Sequence, residues 1–189
     1  MKFTQDWFDH NIPSFKHCMG LLPQKKEFLE IGSFEGRATC WMLQNGLDPD
    51  GRITCIDTFK GGEEHDTLDL TSLRRLFENN VQEAKGQDQY VKVIEDTSYN
   101  GLAECIARGA EYDFIYIDGS HQATDVLTDA CMAFGMLRKG GIMLFDDYLW
   151  DHVEGVLHRP KIAVDAFVNI FSDQCRVSVV GYQQGVTKL

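Results

Sequence analysis

The sequence lacks long apolar runs, an excess of positive charge and close cysteine pairs. No stretch approaches the roughly 20 apolar residues that span a bilayer, and the N-terminus has no apolar run of the kind found in signal peptides. The 29 Asp and Glu residues outnumber the 18 Lys and Arg residues, which gives a net charge of −11. Such a chain repels phosphate backbones, so we do not expect nucleic acid as its partner, and the lack of apolar runs leads us to expect no membrane either.

The six cysteines are scattered along the chain, and no two of them form a CxxC pair. Four of them lie among apolar neighbours in segments that we predict to be helix or strand. We therefore expect buried, reduced thiols in a cytoplasmic protein, rather than a disulfide framework or a zinc site.

No internal repeat or low-complexity tract divides the 189 residues, so we predict a single domain over residues 1–189. Residues 1–26 are mixed in character and are predicted to form an N-terminal cover. Beyond them, short apolar segments typical of buried strands alternate with segments of helical periodicity.

The predicted strands cover residues 28–32, 52–56, 91–94, 114–118 and 142–145, with two closing strands at 177–180 and 186–189. Between them we predict a helix at 37–47, one with its apolar face at 73–81, and others at 101–108, 120–138 and 160–171. We expect Ser120 to cap the fourth of these helices and Lys139-Gly140-Gly141 to end it. This alternation predicts an α/β fold with a mostly parallel seven-stranded sheet, helices on both faces and a C-terminal antiparallel hairpin.

Ligands of such sheets bind outside the carboxyl ends of the strands, near the point where the strand order reverses. Acidic or glycine residues follow every early predicted strand, so they should line one rim of the sheet. They are Gly32, Asp57, Glu95 with Asp96, Asp118, and Asp146 with Asp147.

The turn after the first strand has the features of a nucleoside-binding site. Gly32 and Gly36 permit a tight turn, and the N–H groups of the following helix favour an anionic ligand group. Asp57, which lies 25 positions after Gly32, can accept both hydroxyls of a ribose. A dinucleotide site expects a middle glycine where this chain has Phe34, and no P-loop pattern is present. Glu30 adds an acceptor that suits an ammonium group.

The segment from Phe28 to Gly36, Phe-Leu-Glu-Ile-Gly-Ser-Phe-Glu-Gly, resembles the first motif of class I S-adenosylmethionine-dependent methyltransferases. The second motif of that family resembles Ile-Thr-Cys-Ile-Asp at 53–57. Later blocks, at 116–121, 137–141 and 145–148, resemble sugar and macrolide O-methyltransferases and, more distantly, catechol O-methyltransferase. The resemblance covers roughly residues 27 to 189.

This resemblance implies S-adenosylmethionine as the cofactor and a Rossmann-like methyltransferase fold that ends in an antiparallel hairpin. It implies Glu30, Gly32 and Phe34 around the methionine portion, Asp57 on the ribose, and Asp96 with Thr97 near the adenine. The complete set of predicted cofactor-binding residues is Glu30, Gly32, Ser33, Phe34, Gly36, Asp57, Asp96, Thr97 and Asp118.

Asp118, Asp146 and Asp147 are predicted to bind Mg²⁺ or another divalent cation, because carboxylates gathered at one rim suit a hard cation. Catechol-type enzymes have Asp-Asn where this chain has Asp146-Asp147. Adjacent strand residues point to opposite faces, so both aspartates reach one ion only if the strand has ended at Asp146. The alternative is that these aspartates cap helices or accept from backbone N–H groups.

His121, three residues after Asp118, is predicted to act with Asp118 in catalysis by taking a hydroxyl proton as general base. Catechol-type enzymes have a lysine at the matching place. The alternative is a loop histidine that orients Asp118 or caps the helix.

The surroundings of the predicted site carry weaker signals. Residues 61–76 form either a lid or a plain surface excursion. His65, His152 and His158 line the pocket or are solvated. Phe59, Tyr148 and Trp150 form a substrate wall or belong to the core.

The leading hypothesis is a metal-assisted O-methyltransferase that acts on a small hydroxylated acceptor. The alternatives are a metal-independent methyltransferase, an NAD-dependent oxidoreductase and a non-catalytic nucleoside-binding module. The sequence identifies no acceptor and leaves a homo-oligomer open.

Overall fold

Strands and helices alternate along the chain in the computed structural model, which describes residues 1–62, 68–151 and 154–189. The strands are β1 (Glu27–Ile31), β2 (Arg52–Ile56), β3 (Tyr90–Ile94), β4 (Tyr112–Ile117), β5 (Leu137–Phe145), β6 (Cys175–Val180) and β7 (Gln184–Lys188). The helices are α1 (Ile12–Leu21), α2 (Arg37–Asn45), α3 (Leu73–Ala84), α4 (Ser98–Ala107), α5 (Ala123–Met136) and α6 (Pro160–Ile170). Short 3₁₀ helices cover Asp9–Asn11 and Val156–His158.

The strands form one sheet in the order β3-β2-β1-β4-β5-β7-β6. The first five strands run parallel, and β7 is antiparallel to both β5 and β6. The predicted sheet and its closing antiparallel pair are therefore confirmed. The strand order reverses between β1 and β4, so the loops that follow these two strands diverge and leave a crevice between them.

Side chains alternate between the two faces of the sheet, and both faces are covered by helices. Phe28 and Phe114 belong to the apolar cluster under α1, α2 and α3. Leu29 and Ile115 belong to the cluster under α4, α5 and α6. Every residue of β4 is buried as a result, including Asp113, which interrupts an otherwise apolar sequence.

The predicted N-terminal cover packs on the first face. Phe15 of α1 is fully buried, and its ring lies 4.8 Å from the ring of Tyr116 and 5.7 Å from that of Phe114, measured between centroids. Burying a side chain of this size stabilises the fold by roughly 1.5–3 kcal/mol. The cover is thus part of the core beside the carboxyl ends of β4 and β5.

Two predictions about the helix expected at residues 120–138, which is α5 in the structure, are wrong. Ser120 is not its cap: α5 begins at Ala123 after Gln122, and Ser120 Oγ instead accepts from the Gln122 N–H at 3.1 Å. The segment that follows is not a helix stop, because Lys139-Gly140-Gly141 lies within β5. The register of β4 and β5 shifts between Tyr112 and Phe114, so the sheet accommodates the glycine pair as an irregularity of the strand pairing. The local sequence does not indicate this irregularity.

All six cysteines are free, and all but Cys131 are buried, as predicted. Among the described residues, no helix is both long enough and apolar enough to cross a membrane. His65, His152 and residues 63–67 of the predicted lid lie outside the described residues, and α3 begins only at Leu73.

Candidate active site

The turn after β1 is held in a conformation that requires glycine. Gly32 and Gly36 have φ values of 82° and 80°, and Phe34 between them is also left-handed at 47°. A Cβ atom on Gly32 would lie 1.8 Å from the backbone carbonyl oxygen of Asp118. The turn is therefore pressed against the end of β4, which brings the predicted cofactor turn next to the acidic residues of the rim.

Asp57 fastens this turn from the end of β2. Its Oδ2 accepts from the backbone N–H groups of Ser33 and Phe34 at 2.7 and 2.8 Å, and its Oδ1 accepts from the Phe59 N–H at 2.6 Å. Asp57 therefore lies where one carboxylate can serve both the turn and a ligand that crosses the ends of β1 and β2.

Glu30 lies beneath the turn and is fully buried. Its Oε2 accepts from the hydroxyls of Ser33, at 2.7 Å, and Thr39. Its Oε1 is buried and accepts from no donor among the described residues. Burial raises the pKa of Glu30 to about 7, although the two hydroxyls favour its charged form. The open oxygen can accept a hydrogen bond from a positively charged ligand group.

Asp96 and Thr97 lie at the same rim, where both are exposed and engaged with α4. Thr97 is the N-cap of α4, and its hydroxyl accepts from the Asn100 N–H at 3.4 Å. Asp96 Oδ1 accepts from the Thr97 N–H at 2.7 Å and from Asn100 Nδ2 at 2.9 Å. These bonds hold the pKa of Asp96 below its ordinary value. The structure gives both residues a capping role, and their predicted contact with adenine stays a prediction.

The sheet register brings Asp118 and Asp146 together. Ile117 of β4 pairs with Phe145 of β5, so the next residue of each strand lies side by side at the rim, on the face covered by the N-terminal segment. Strand β5 ends at Phe145, and Asp147 adopts a left-handed φ of 52°, which turns its side chain back toward its neighbours. Ligand oxygens of the three aspartates lie within 4.8 Å of one another. The geometric condition for a shared ion is therefore met.

Asp146 is held by four donors. Its Oδ2 accepts from Asn11 Nδ2 at 2.6 Å and from the Tyr116 hydroxyl. Its Oδ1 accepts from the Asp147 N–H at 2.9 Å and from Gln183 Nε2 at 3.2 Å. Burial, together with the charge of Asp147, raises the pKa of Asp146 to about 6 in spite of these donors.

Asp147 connects the acidic cluster to His121. Its Oδ2 lies 2.9 Å from His121 Nε2, and its Oδ1 accepts from the Tyr182 hydroxyl at 2.8 Å. The His121 ring stacks on Trp150, with 4.2 Å between centroids. Burial and the charges of Asp146 and Asp147 raise the pKa of Asp118 well above its ordinary value. The three carboxylates thus repel one another in a way that a bound cation would relieve.

The aromatic residues and His158, which the sequence places near the site, lie in different environments. Trp150 lies beside the acidic cluster, where it stacks on His121, and its role as a substrate wall stays a prediction. Phe59 is buried against the Phe77 ring and belongs to the core. The Tyr148 hydroxyl donates to Asp165 of α6 at 2.9 Å, and His158 is exposed.

Sequence reasoning missed Asn11, Tyr182 and Gln183. Asn11 lies 135 positions from Asp146, whose carboxylate it contacts, and no local sequence pattern predicts that contact. The other two carried a signal, because they precede Gln184, which pairs with Phe145 across the antiparallel strands. A residue just before β7 necessarily lies beside one just after β5.

The described residues line a cavity at each end of the sheet. A recess of about 10 Å³ is lined by Asp118, His121, Asp146 and Asp147. A larger cavity of about 290 Å³ is lined by Arg52, Tyr90, Tyr112 and other residues at the amino ends of β2, β3 and β4. Because parallel sheets bind ligands at the carboxyl ends, we assign the chemistry to the smaller recess.

A family model described as a methyltransferase domain matches residues 29–148, and the chain belongs to this methyltransferase family. The match extends from β1 past Asp147, so it includes both the cofactor turn and the acidic cluster. The resemblance drawn from the sequence motifs is thereby confirmed at the level of the family, and the fold agrees with it.

Two curated proteins and one solved structure are similar to this chain. The chain is 32% identical over 130 residues to an uncharacterized protein of Acanthamoeba polyphaga mimivirus, covering 64% of this chain and 51% of the relative. It is 27% identical over 138 residues to the "Probable caffeoyl-CoA O-methyltransferase 3" of Dictyostelium discoideum, covering 72% and 49%. The chain thus spans about half the length of these curated relatives. Its fold is similar to that of an O-methyltransferase from Bacillus cereus solved with SAH, with a TM-score of 0.69, 18% identity, and coverage of 98% and 84%.

Proposed function

We propose that this protein is an S-adenosylmethionine-dependent O-methyltransferase that acts on a small hydroxylated acceptor with the help of a divalent cation. The observation that carries the proposal is the position of three carboxylates directly beside a glycine turn at the switch point of the sheet. A module that binds a nucleoside without catalysing a reaction has no need for three carboxylates and a histidine gathered at one site.

The cofactor assignment is supported by the acceptors around the turn. The open Oε1 of Glu30 suits the ammonium group of a methionine moiety, and the N-terminal end of α2 suits its carboxylate. Asp57 suits the ribose hydroxyls. Phe34 at the centre of the turn disfavours a pyrophosphate, which needs close backbone approach. The related fold with bound SAH agrees with this choice of cofactor.

The metal assignment is supported by the chemistry of the donor set. Asp118, Asp146 and Asp147 supply only oxygen ligands, which Mg²⁺ and similar hard cations prefer. Burial, together with the charges of the other two aspartates, raises the pKa of Asp118, so a positive charge at this point is electrostatically favoured. When bound there, the cation would lower the pKa of the acceptor hydroxyl.

His121 is proposed as the general base for the acceptor hydroxyl. In the tautomer that carries its proton on Nε2, His121 donates a hydrogen bond from Nε2 to Asp147, which leaves Nδ1 as the basic nitrogen of the ring. Trp150 restricts the ring to one plane by stacking on it. The remaining contribution is positioning, because methyl transfer is a displacement that requires the oxygen, the methyl carbon and the sulfur in line.

The test is methyl transfer from labelled S-adenosylmethionine to a panel of small phenols, catechols and sugars, with Mg²⁺ and with EDTA. We expect transfer to an oxygen of at least one acceptor, loss of turnover in EDTA and recovery on adding Mg²⁺. His121→Asn should lower kcat while leaving the affinity for the cofactor unchanged. No transfer to any hydroxyl, accompanied by transfer to an amine or thiol, would contradict the O-methylation proposal.

One observation favours a second candidate, a metal-independent methyltransferase. Four donors already occupy the lone pairs of Asp146, so this carboxylate is satisfied by the protein alone. In that case the acidic cluster would orient His121 and the acceptor without an ion. Full activity after exhaustive chelation would select this second candidate.

A further inference from the structure

Asn11 is an unusual side chain to find inside a protein core. It lies at the end of the first 3₁₀ helix and is only 1% exposed. Its Oδ1 is buried and accepts from no donor among the described residues. Its Nδ2 makes two contacts, with Asp146 Oδ2 at 2.6 Å and with the Tyr116 hydroxyl at 3.4 Å. Leaving a buried amide oxygen unpaired costs free energy, so the contact with Asp146 must offset that cost.

The two oxygens of Asp146 are not held equally. Oδ2 has the closest donors, Asn11 Nδ2 and the Tyr116 hydroxyl, and both of these bonds are buried. Oδ1 has the longer bonds, 2.9 Å to the Asp147 N–H and 3.2 Å to Gln183 Nε2. A hydrogen bond to a carboxylate is strongest when it is short and charge-assisted. Oδ2 is thus the anchored oxygen, and Oδ1 is the one that can exchange a partner.

We propose that Asn11 is a positioning residue of the acidic cluster: its amide anchors Oδ2 of Asp146, so that Oδ1 is the oxygen presented to a divalent cation. The inference rests on the metal assignment of the proposed function. Asn11 itself touches neither cation nor substrate and acts only through the carboxylate.

The N-terminal segment is built to keep Asn11 in place. Backbone and side chain of Thr4 donate to the Glu35 carboxylate, with 2.7 Å for the backbone N–H. The Trp7 ring lies 5.3 Å from that of Phe34 in the cofactor turn. Arg37 forms an ion pair with Asp9 at 2.8 Å. These contacts fasten the segment to the cofactor turn independently of Asn11, so removing the Asn11 amide should leave that turn intact.

The experiment measures Mn²⁺ binding by electron paramagnetic resonance and S-adenosylhomocysteine binding by calorimetry, in the full chain. Mn²⁺ serves as the probe because carboxylate ligands suit it as they suit Mg²⁺. Loss of a hydrogen-bond partner behind a metal ligand typically weakens metal binding 10- to 100-fold. We expect Asn11→Ala to raise the Kd for Mn²⁺ at least tenfold and to change the Kd for S-adenosylhomocysteine less than twofold.

The matched control is Asn45→Ala, which also removes one asparagine donor. Asn45 is exposed at the end of α2, and its Nδ2 donates to the Trp41 carbonyl at 3.0 Å. Both Kd values of this control should stay at the wild-type level. Tyr116→Phe removes the other donor to Oδ2 with the loss of a single oxygen atom, and it should also weaken Mn²⁺ binding several-fold. This second variant decides the question if Asn11→Ala does not fold.

The outcomes separate this inference from the proposed function. Wild-type Mn²⁺ affinity in Asn11→Ala, or in Tyr116→Phe where only that variant folds, overturns the positioning role and leaves the metal assignment standing. Equal losses of Mn²⁺ and S-adenosylhomocysteine affinity show that Asn11 merely holds the fold, which also overturns it. A wild-type protein that binds S-adenosylhomocysteine but no Mn²⁺ overturns the metal assignment and this inference together.

Discussion

Replacing Glu30 by glutamine should make the protein more stable at alkaline pH while weakening its hold on the cofactor. Glu30 is fully buried, and burial raises its pKa from an ordinary value of 4.5 to about 7. The folded state therefore binds a proton that the unfolded state releases, between about pH 4.5 and pH 7. Across this window the stability of the wild type falls as the pH rises.

The size of the effect follows from the shift in pKa. A shift from 4.5 to about 7 corresponds to a loss of roughly 3 kcal/mol from the unfolding free energy of the wild type; the loss is absent below pH 4.5 and complete above pH 7. Glu30→Gln keeps the shape and can still accept from the hydroxyls of Ser33 and Thr39. We expect equal stability of variant and wild type near pH 4.5, and a gain of roughly 3 kcal/mol for the variant at pH 8.

The assay is urea unfolding followed by tryptophan fluorescence at both pH values, without cofactor. Taking the difference between variant and wild type cancels the titration of other buried carboxylates. The exposed Gln44→Ala serves as control, and its difference from the wild type should not depend on pH because neither side chain titrates. A Glu30→Gln difference that is the same at pH 4.5 and pH 8 would show that the Glu30 carboxyl does not titrate differently in the folded and unfolded states. The variant should also bind S-adenosylhomocysteine more weakly, since an amide attracts an ammonium group less than a carboxylate does.

Three further substitutions test the site. Gly32→Ala should lower the unfolding free energy measured in urea by more than about 2 kcal/mol, because its Cβ would clash with the carbonyl of Asp118. Gly135→Ala, with open space around it, should not destabilise the protein. Equal effects of the two substitutions would contradict the clash at Gly32. Asp57→Ala should weaken S-adenosylhomocysteine binding at least tenfold in calorimetry, and an unchanged Kd would remove Asp57 from the site. Tyr182→Phe, which deletes the donor to Asp147, should lower kcat several-fold without changing cofactor affinity, and a change confined to cofactor affinity would contradict this.

Features that depend on strand periodicity were predictable from the sequence. Five apolar segments gave the five parallel strands, and an acidic residue after each of two neighbouring strands gave the pair Asp118 and Asp146. The parallel register then places both on one rim, so their proximity follows from the pattern alone. The glycine turn and Asp57 were predictable for the same reason, because they end adjacent strands.

Features that depend on packing between distant segments were not predictable. The left-handed backbone of Asp147 is set by the end of β5 and by the bonds that its carboxylate makes with His121 and Tyr182. Asn11 reaches the cluster because α1 buries Phe15 against the sheet, and that depends on the complete core. Lys139-Gly140-Gly141 has the local composition of a helix stop, yet pairing with β4 outweighs that preference.

Calorimetric titration of the purified protein with S-adenosylhomocysteine and, separately, with NADH distinguishes a methyltransferase that uses S-adenosylmethionine from an oxidoreductase. We expect saturable binding of S-adenosylhomocysteine at one site per chain and no binding of NADH. Binding of NADH without binding of S-adenosylhomocysteine would identify an oxidoreductase instead.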